Sequence, residues 1–418
     1  MTQSKRFRLV QLAALMGLLA LALLACTSAT PVAPTTAASA PQPSPVSPTA
    51  PGPTPTPIPT MTCFASRAGV SPAREAQEYL TSYDHILGDP KNGTVFLVVY
   101  SDFQCQACAQ LAPILRALQK AHSQDVVLVF RHYPLINIHD KAALAAQAAE
   151  AAGKQGKFWE MHDLLFAEQQ RWIQMSPSAF RNYLQGAAKR LGLDVTQFSH
   201  DLNSQEIQSL IQRAWQNGVD HSLPGVPLLY INTLLYTGPL DFQNLDTVVR
   251  LKILEAHQFH ACPPITVTAE DDVQAVLYTT RGTLTLRLFP KQAPNAVNSF
   301  VFLAQQGWYN GNAFFEVSDT WVRTGDPSDT GYGNAGYTFA LETSPDLTFD
   351  QAGRVALYNA GDNTNSSQFF ITRKPIPAYD GHATIFGQVT QGLDVLNALD
   401  TTDQLLKVKI LINGQEAP

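Results

Sequence analysis

The stretch from Thr94 to Cys108 constrains this chain more than any other. Thr94–Tyr100 (TVFLVVY) is a continuous apolar and β-branched run, the pattern of a central strand buried on both faces. Cys105-Gln106-Ala107-Cys108 follows after four residues, and Leu111, Leu115 and Leu118 then share one helical face. Two thiols therefore stand at a strand-to-helix turn. The unpaired N–H groups and macrodipole of a helix start stabilise a thiolate. That makes Cys105 the attacking or leaving sulfur in thiol exchange and Cys108, one turn on, the resolving one. The alternative for a C-x-x-C is half of a zinc site, which needs a second C-x-x-C or a C/H pair that the sequence does not supply at suitable spacing. Neither Gln106 nor Ala107 is cationic, so the thiolate depends on the helix end. The couple is expected to be less oxidising than the roughly −120 mV of the strongest oxidants of this type.

The surrounding pattern is strand, helix, strand, helical block, strand, helix. Asp125–Phe130 reads as a second buried strand and residues 141–215 as helical, including Lys141–Ala152 and Phe158–Phe166. A strand returns at Leu228–Ile231, and Leu245–His257 closes the unit. Ser101-Asp102-Phe103-Gln104-Cys105-Gln106-Ala107-Cys108 resembles the active-site entry of DsbA-like thiol–disulfide oxidoreductases. Phe130-Arg131-His132-Tyr133-Pro134-Leu135, Gly156–Asp163 and Gly225-Val226-Pro227 are similar to later blocks of that family, in the same order. The resemblance implies an α/β thioredoxin fold with a helical insertion, and a cis-proline at Pro227 that faces the dithiol and docks substrate backbone. His132, His139 and His162 invite a metal reading. Their places in strand and helix motifs favour structural or solvated roles, so neither a metal nor a cofactor is expected.

Beyond residue 265 the character changes. Short alternating segments such as Val276–Tyr278 and Thr283–Phe289 lie between turn residues, and one helix reads over Asn295–Gln305. Thr280-Arg281-Gly282, Tyr309–Phe314, Gly325-Asp326-Pro327, Asn359–Ile371, Asp380-Gly381 and Ile385-Phe386-Gly387 together resemble the cyclophilin-type peptidyl-prolyl isomerases. The resemblance implies a mainly β barrel with a slot for a proline ring. Phe370 would form its floor, and Trp321 or Val322 and Tyr379 its walls. Gln368, Asn359 and the backbone at Ala360 would hold the peptide, and Phe369 would face the core. The sequence departs from the family at one place. Phe315-Glu316 stands where the family has His-Arg, and the following stretch is one residue shorter. An ionised carboxylate cannot donate to a prolyl amide, and the shortened stretch brings Arg323 or Thr324 to the family's glutamine position. Arg323 is therefore expected to reach the groove.

Residues 1–25 read as an export signal, with Lys5, Arg6 and Arg8 ahead of an apolar run. Leu23-Leu24-Ala25-Cys26 resembles a bacterial lipobox, which implies lipidation of Cys26; an uncleaved membrane anchor is the alternative. Residues 27–60 hold no charge and 11 of the 28 prolines, so the linker over 26–62 is expected to be an extended stalk. Of five cysteines, Cys63 and Cys262 remain. In an exported protein they either pair, closing a loop of about 200 residues, or stay as free thiols. The first domain is then 63–262 and the second 265–418. Without the three basic residues of the signal the chain has 25 basic and 34 acidic residues, a balance that disfavours nucleic acid as a partner.

These readings point to a lipid-anchored extracytoplasmic folding factor. Its partners would be unfolded or partly folded exported proteins, proline-containing segments and a redox partner for Cys105/Cys108. A second reading keeps the thiol chemistry and reduces the barrel to a module that binds proline-containing segments, because of Glu316. A third, a scaffold without turnover, conflicts with the intact C-x-x-C.

Overall fold

A computed structural model describes residues 60–66, 72–361 and 363–417. Cys26 and nearly all of the stalk lie outside the described residues. Among the described residues, no helix is long and apolar enough to cross a membrane.

The first unit is built on a five-stranded sheet in the order His85–Leu87, Val126–His132, Val95–Ser101, Leu228–Ile231, Leu234–Leu235. The central strand Val95–Ser101 runs parallel to Val126–His132, with Ser101 opposite His132, and antiparallel to Leu228–Ile231. Five of its seven residues in sequence, Val95 to Val99, are buried, as a strand covered on both faces requires. The helical block is centred on Ala142–Gly153, where seven alanines are buried. Small side chains let neighbouring helices approach this one closely, and little rotamer entropy is lost in a helix of alanine. The last helix of the unit is Phe242–Glu255.

The second unit is one ten-stranded antiparallel sheet that curls on itself. In Val273–Thr279, Val273, Ala275, Leu277 and Thr279 point inward, and Leu284, Leu286 and Leu288 do so in the next strand. The period of two places one face on a core around Phe300, Phe369 and Phe386. Asn312–Ala313 pairs with Gln404–Ile412, and Glu316–Val317 pairs with Trp321–Thr324 at the other end of the sheet. The chain from 312 to 317 thus links both ends and closes the barrel. The helix Pro294–Gln305 packs across it, close to its expected extent.

The sequence grouped Thr60–Thr62 with the stalk and Cys63 with the first unit. In the structure this segment lies on the barrel. Thr60 bridges to Pro264, Met61 is buried in the barrel core, and Phe64–Ala65 pairs antiparallel with Tyr337–Thr338. Met61 and Cys63 bring apolar surface, and Tyr337–Thr338 offers backbone groups to pair with. Cys63 and Cys262 form a disulfide, Cα–Cα 5.7 Å, which settles the alternatives left open above. The segment after Phe242–Glu255 also meets the barrel: the Phe259 N–H donates to Ala335 O at 2.9 Å, and the Phe259 ring packs on Phe302 and Trp308. Gly336 has φ +89°, and a Cβ there would meet Phe259 O at 2.3 Å, so this contact needs glycine.

Replacing both Cys63 and Cys262 by serine should lower the stability of the chain by up to about 5 kcal/mol, the chain-entropy limit for so long a loop. Hydrogen exchange at the Ser66 N–H, which donates to Gly336 O, should accelerate with it. Unchanged denaturant midpoints and exchange would contradict this role for the bridge.

Candidate active sites

The dithiol lies where the sequence puts it. Cys105 is the N-cap of the helix Gln106–Ala121, and its sulfur accepts the Cys108 N–H at 3.1 Å. Helix capping and thiolate stabilisation are here the same contact. The hydrogen bonds from Cys108 lower the pKa of Cys105 from 9.0 to about 7, against the opposing effect of burial. Burial pushes the Cys108 thiol up instead, so it stays protonated. One sulfur is thus favoured as the thiolate nucleophile and the other is held neutral. The Cys105 thiol also faces Val226 O at 3.7 Å, and the Val226–Pro227 peptide is cis. Pro227 therefore borders the dithiol as the resemblance implied.

Two further residues shape the loop. Buried Asp102 accepts the Gln104 and Leu135 N–H groups and bonds His139 Nδ1 at 2.7 Å. Its charge raises the pKa of Cys105 while His139 lowers it. Gln169 donates through its amide nitrogen to both Phe103 O and Cys105 O, which fixes the turn from below. The sequence flags Asp102 through its motif, but no local signal identifies Gln169.

The barrel carries the slot. Phe370 is buried in a small cluster with Phe349, Ala356, Ile376, Ala383 and Ile385, while Phe369 turns to the core against Phe300 and Tyr309. Adjacent strand residues face opposite sides, and the register decides which does what. Trp321 stands 5.7 Å from the Phe370 ring and 5.5 Å from Tyr379, and Tyr379 lies 6.3 Å from Phe370. Trp321, not buried Val322, is therefore the wall. Phe349, which the sequence did not single out, stacks on Phe370 at 5.8 Å.

Arg323 is directly opposite Phe370 across the strand pair, and Glu316 is directly opposite Arg323. All three share one face. Glu316 binds Arg323 Nη1 at 2.9 Å and accepts the Trp321 indole N–H at 2.8 Å. The guanidinium is sandwiched between Tyr358 at 3.8 Å and Phe315 at 4.9 Å. The residue that replaces the family's arginine thus holds another arginine and one wall of the slot. Arg323 Nε and Gln368 Oε1 are buried without a hydrogen-bond partner among the described residues. Gln368 donates its amide nitrogen to Gly331 O and Gly333 O, which orients the free oxygen. Asn359 and Ala360 are less available than expected: the Asn359 amide donates to His382 O, and the Ala360 N–H to Thr364 Oγ1. Tyr358 precedes Asn359 in the strongest motif, yet nothing local marks it as a partner of Arg323.

Fold and sites together define a chain that joins a thioredoxin-fold dithiol unit to a proline-slot barrel. Residues 80–250 match the Thioredoxin family, and residues 275–413 match the family described as cyclophilin type peptidyl-prolyl cis-trans isomerase/CLD. The chain is 44% identical over 125 residues to peptidyl-prolyl cis-trans isomerase-like 1 of Mus musculus, covering 29% of this chain and 75% of that protein. Through its barrel it belongs to the cyclophilin-type peptidyl-prolyl isomerase family. It is also 33% identical over 204 residues to the Na(+)/H(+) antiporter NhaA 3 of Salinispora tropica, covering 46% of this chain and 30% of the antiporter, so it spans under a third of that relative's length. Among solved structures, a thioredoxin-like oxidoreductase from Silicibacter pomeroyi is 25% identical, with a TM-score of 0.34, covering 42% of this chain and 94% of that one.

The shifted Cys105 sets a pH profile. In the reduced chain, alkylation of Cys105 should rise with pH through about 7, because the thiolate is the reactive form and is favoured over the ordinary 9.0. Cys108 should remain unlabelled over the same range. Iodoacetamide rates read by peptide mass spectrometry check this; a Cys105 midpoint near 9 would contradict it.

Proposed function

We propose that this chain is an extracytoplasmic folding factor, tethered to a membrane through lipidated Cys26, that catalyses thiol–disulfide exchange at Cys105/Cys108 and prolyl isomerisation over Phe370. Its substrates are unfolded or partly folded exported proteins. The thiol reading is carried by the asymmetry of the pair, one sulfur lowered at a helix cap beside Pro227 and one buried. The Cys105 thiolate attacks a substrate disulfide, forming a mixed disulfide and releasing one substrate thiolate. Cys108 passes its proton to the substrate thiolate just released and attacks the Cys105 sulfur, which releases the second substrate thiolate and leaves Cys105–Cys108 oxidised. Two electrons pass to the substrate. The same steps in reverse oxidise a substrate dithiol, and a redox partner resets the pair.

The isomerase reading is carried by Arg323. Rotation about an X–Pro bond disrupts amide resonance and must cross a barrier of about 18–20 kcal/mol. A donor beside the proline lowers that barrier by interacting with the amide as its geometry changes. Arg323 supplies a cation on the same face as Phe370; its Nε–H and Gln368 Oε1 are unpartnered but buried, so they meet a substrate only once the bound peptide displaces a side chain of the groove. Glu316 holds the cation in place and also tempers its charge. This favours catalysis over the binding-only reading that Glu316 suggested in the sequence.

Two experiments test these readings. A Cys108→Ala variant should trap exported proteins as mixed disulfides that reductant releases; none trapped, with a folded variant, would sink the thiol reading. In a proline-switch peptide assay on the full chain, Arg323→Ala should lower kcat/KM by about 100-fold, the order seen when one preorganised donor is removed. Glu316→Gln, which keeps the acceptor for Trp321, should raise it. Unchanged kcat/KM in Arg323→Ala would remove Arg323 as the catalytic donor, and no turnover by the unmodified chain would leave the slot as a binding module only.

A further inference from the structure

A second group of polar side chains, outside both sites, gathers on the first unit. Glu150 is the single charged residue of the alanine-rich helix Ala142–Gly153. Its side chain is only 12% exposed. A carboxylate so placed is rarely left without a cation. Among the described residues no lysine or arginine reaches it; its ion-pair partners are His85 and His132, both through Nε2, at 2.6 and 2.9 Å from the same oxygen. His85 opens the edge strand His85–Leu87 and His132 ends the strand Val126–His132. Three separate elements therefore converge two imidazole nitrogens and one carboxylate.

The imidazoles are preset by packing. The His85 ring stacks on Phe158 with 6° between planes, and His132 meets His85 edge-on at 5.6 Å. The donor atoms of all three residues lie within 4.8 Å of one another. Zinc bonds of about 2.0–2.2 Å in tetrahedral geometry put ligand atoms roughly 3.3–3.5 Å apart. Opening the two hydrogen bonds by under about 1 Å would admit the ion, with the metal replacing the shared protons. Two histidines and one carboxylate form a ligand set that zinc commonly takes, with a fourth position left open.

We propose that His85, His132 and Glu150 form a binding site for a divalent zinc-class cation. The site joins the edge strand to the helical insertion. It lies beside the dithiol loop, since His132 is opposite Ser101 in the sheet and its ring is 6.0 Å from that of Phe103. A metal bound there would brace the loop that carries Cys105 without touching either sulfur.

The test uses the full chain with both Cys63–Cys262 and Cys105–Cys108 oxidised, so that these four sulfurs are not ligands. Calorimetric titration with Zn²⁺ should show one saturable equivalent. Co²⁺ in its place should give a ligand-field spectrum without a thiolate charge-transfer band. Glu150→Gln, which keeps shape and hydrogen-bond acceptor, and His85→Gln should each weaken Zn²⁺ binding by more than about 100-fold, beyond the 10–100-fold typical of outer-shell changes. Exposed His200→Gln should not change it. His85 lies in a three-residue edge strand, so its variant decides the matter even where Glu150→Gln is poorly folded. Absence of saturable binding at micromolar Zn²⁺, or an equivalent that survives either variant in a folded chain, would overturn the proposal. In that case the cluster is a histidine–carboxylate hydrogen-bond network alone.

Discussion

The Cys63–Cys262 bridge, with the strand Phe64–Ala65 laid on Tyr337–Thr338, fixes how this chain is organised. Both ends of the dithiol unit are fastened to the barrel, one by this strand and one by the segment around Phe259. The unit is thus a closed excursion of the chain, and unfolding cannot separate its ends while the bridge is intact. Arg250 adds a contact from the last helix to Ser328 O and lies near Asp329. Few of these contacts are strong alone. Together they give the two chemistries one body, in contrast to domains joined by a free linker, for which relative motion is the default.

Each site solves a charge problem with local geometry. At the dithiol, a helix start stabilises an anion, and burial keeps the second sulfur neutral. At the slot, the cation has moved to the neighbouring strand. Arg323 is held by Glu316 and two aromatic faces, so its long side chain is ordered before a peptide arrives. Preorganisation of this kind lowers the entropy lost when a substrate binds. A partnered arginine is also a weaker electrophile than a lone one, and for that reason Glu316 sets the level of activity in this account.

What could be read in the sequence follows from the range of the interactions involved. Buried strands, the C-x-x-C at a helix start and the alternation of the barrel strands are local patterns, and they are where the sequence put them. The one-residue shortening before Arg323 left two alignments open. The register Glu316↔Arg323↔Phe370 resolves it, because cross-strand pairing is not written in local periodicity. Tyr358 and Phe349 were missed for the same reason, as were His85 and Glu150, which meet only through the tertiary fold. The segment Thr60–Thr62 reads as the end of a stalk because its neighbours are rich in proline, and Cys63 onward as part of the first unit; the strand partner of Phe64–Ala65 lies over 270 residues away.

If one molecule carries both proposed activities toward the same class of unfolded exported proteins, both sites act on one substrate chain. This is tested most directly by refolding a protein that needs both a disulfide rearrangement and a prolyl isomerisation. The intact chain is compared with an equimolar mixture of Cys105→Ser and Arg323→Ala chains at the same number of each working site. Refolding should be faster with the intact chain, because both sites act during one encounter. Equal rates would contradict it and reduce the chain to two independent domains that happen to be joined.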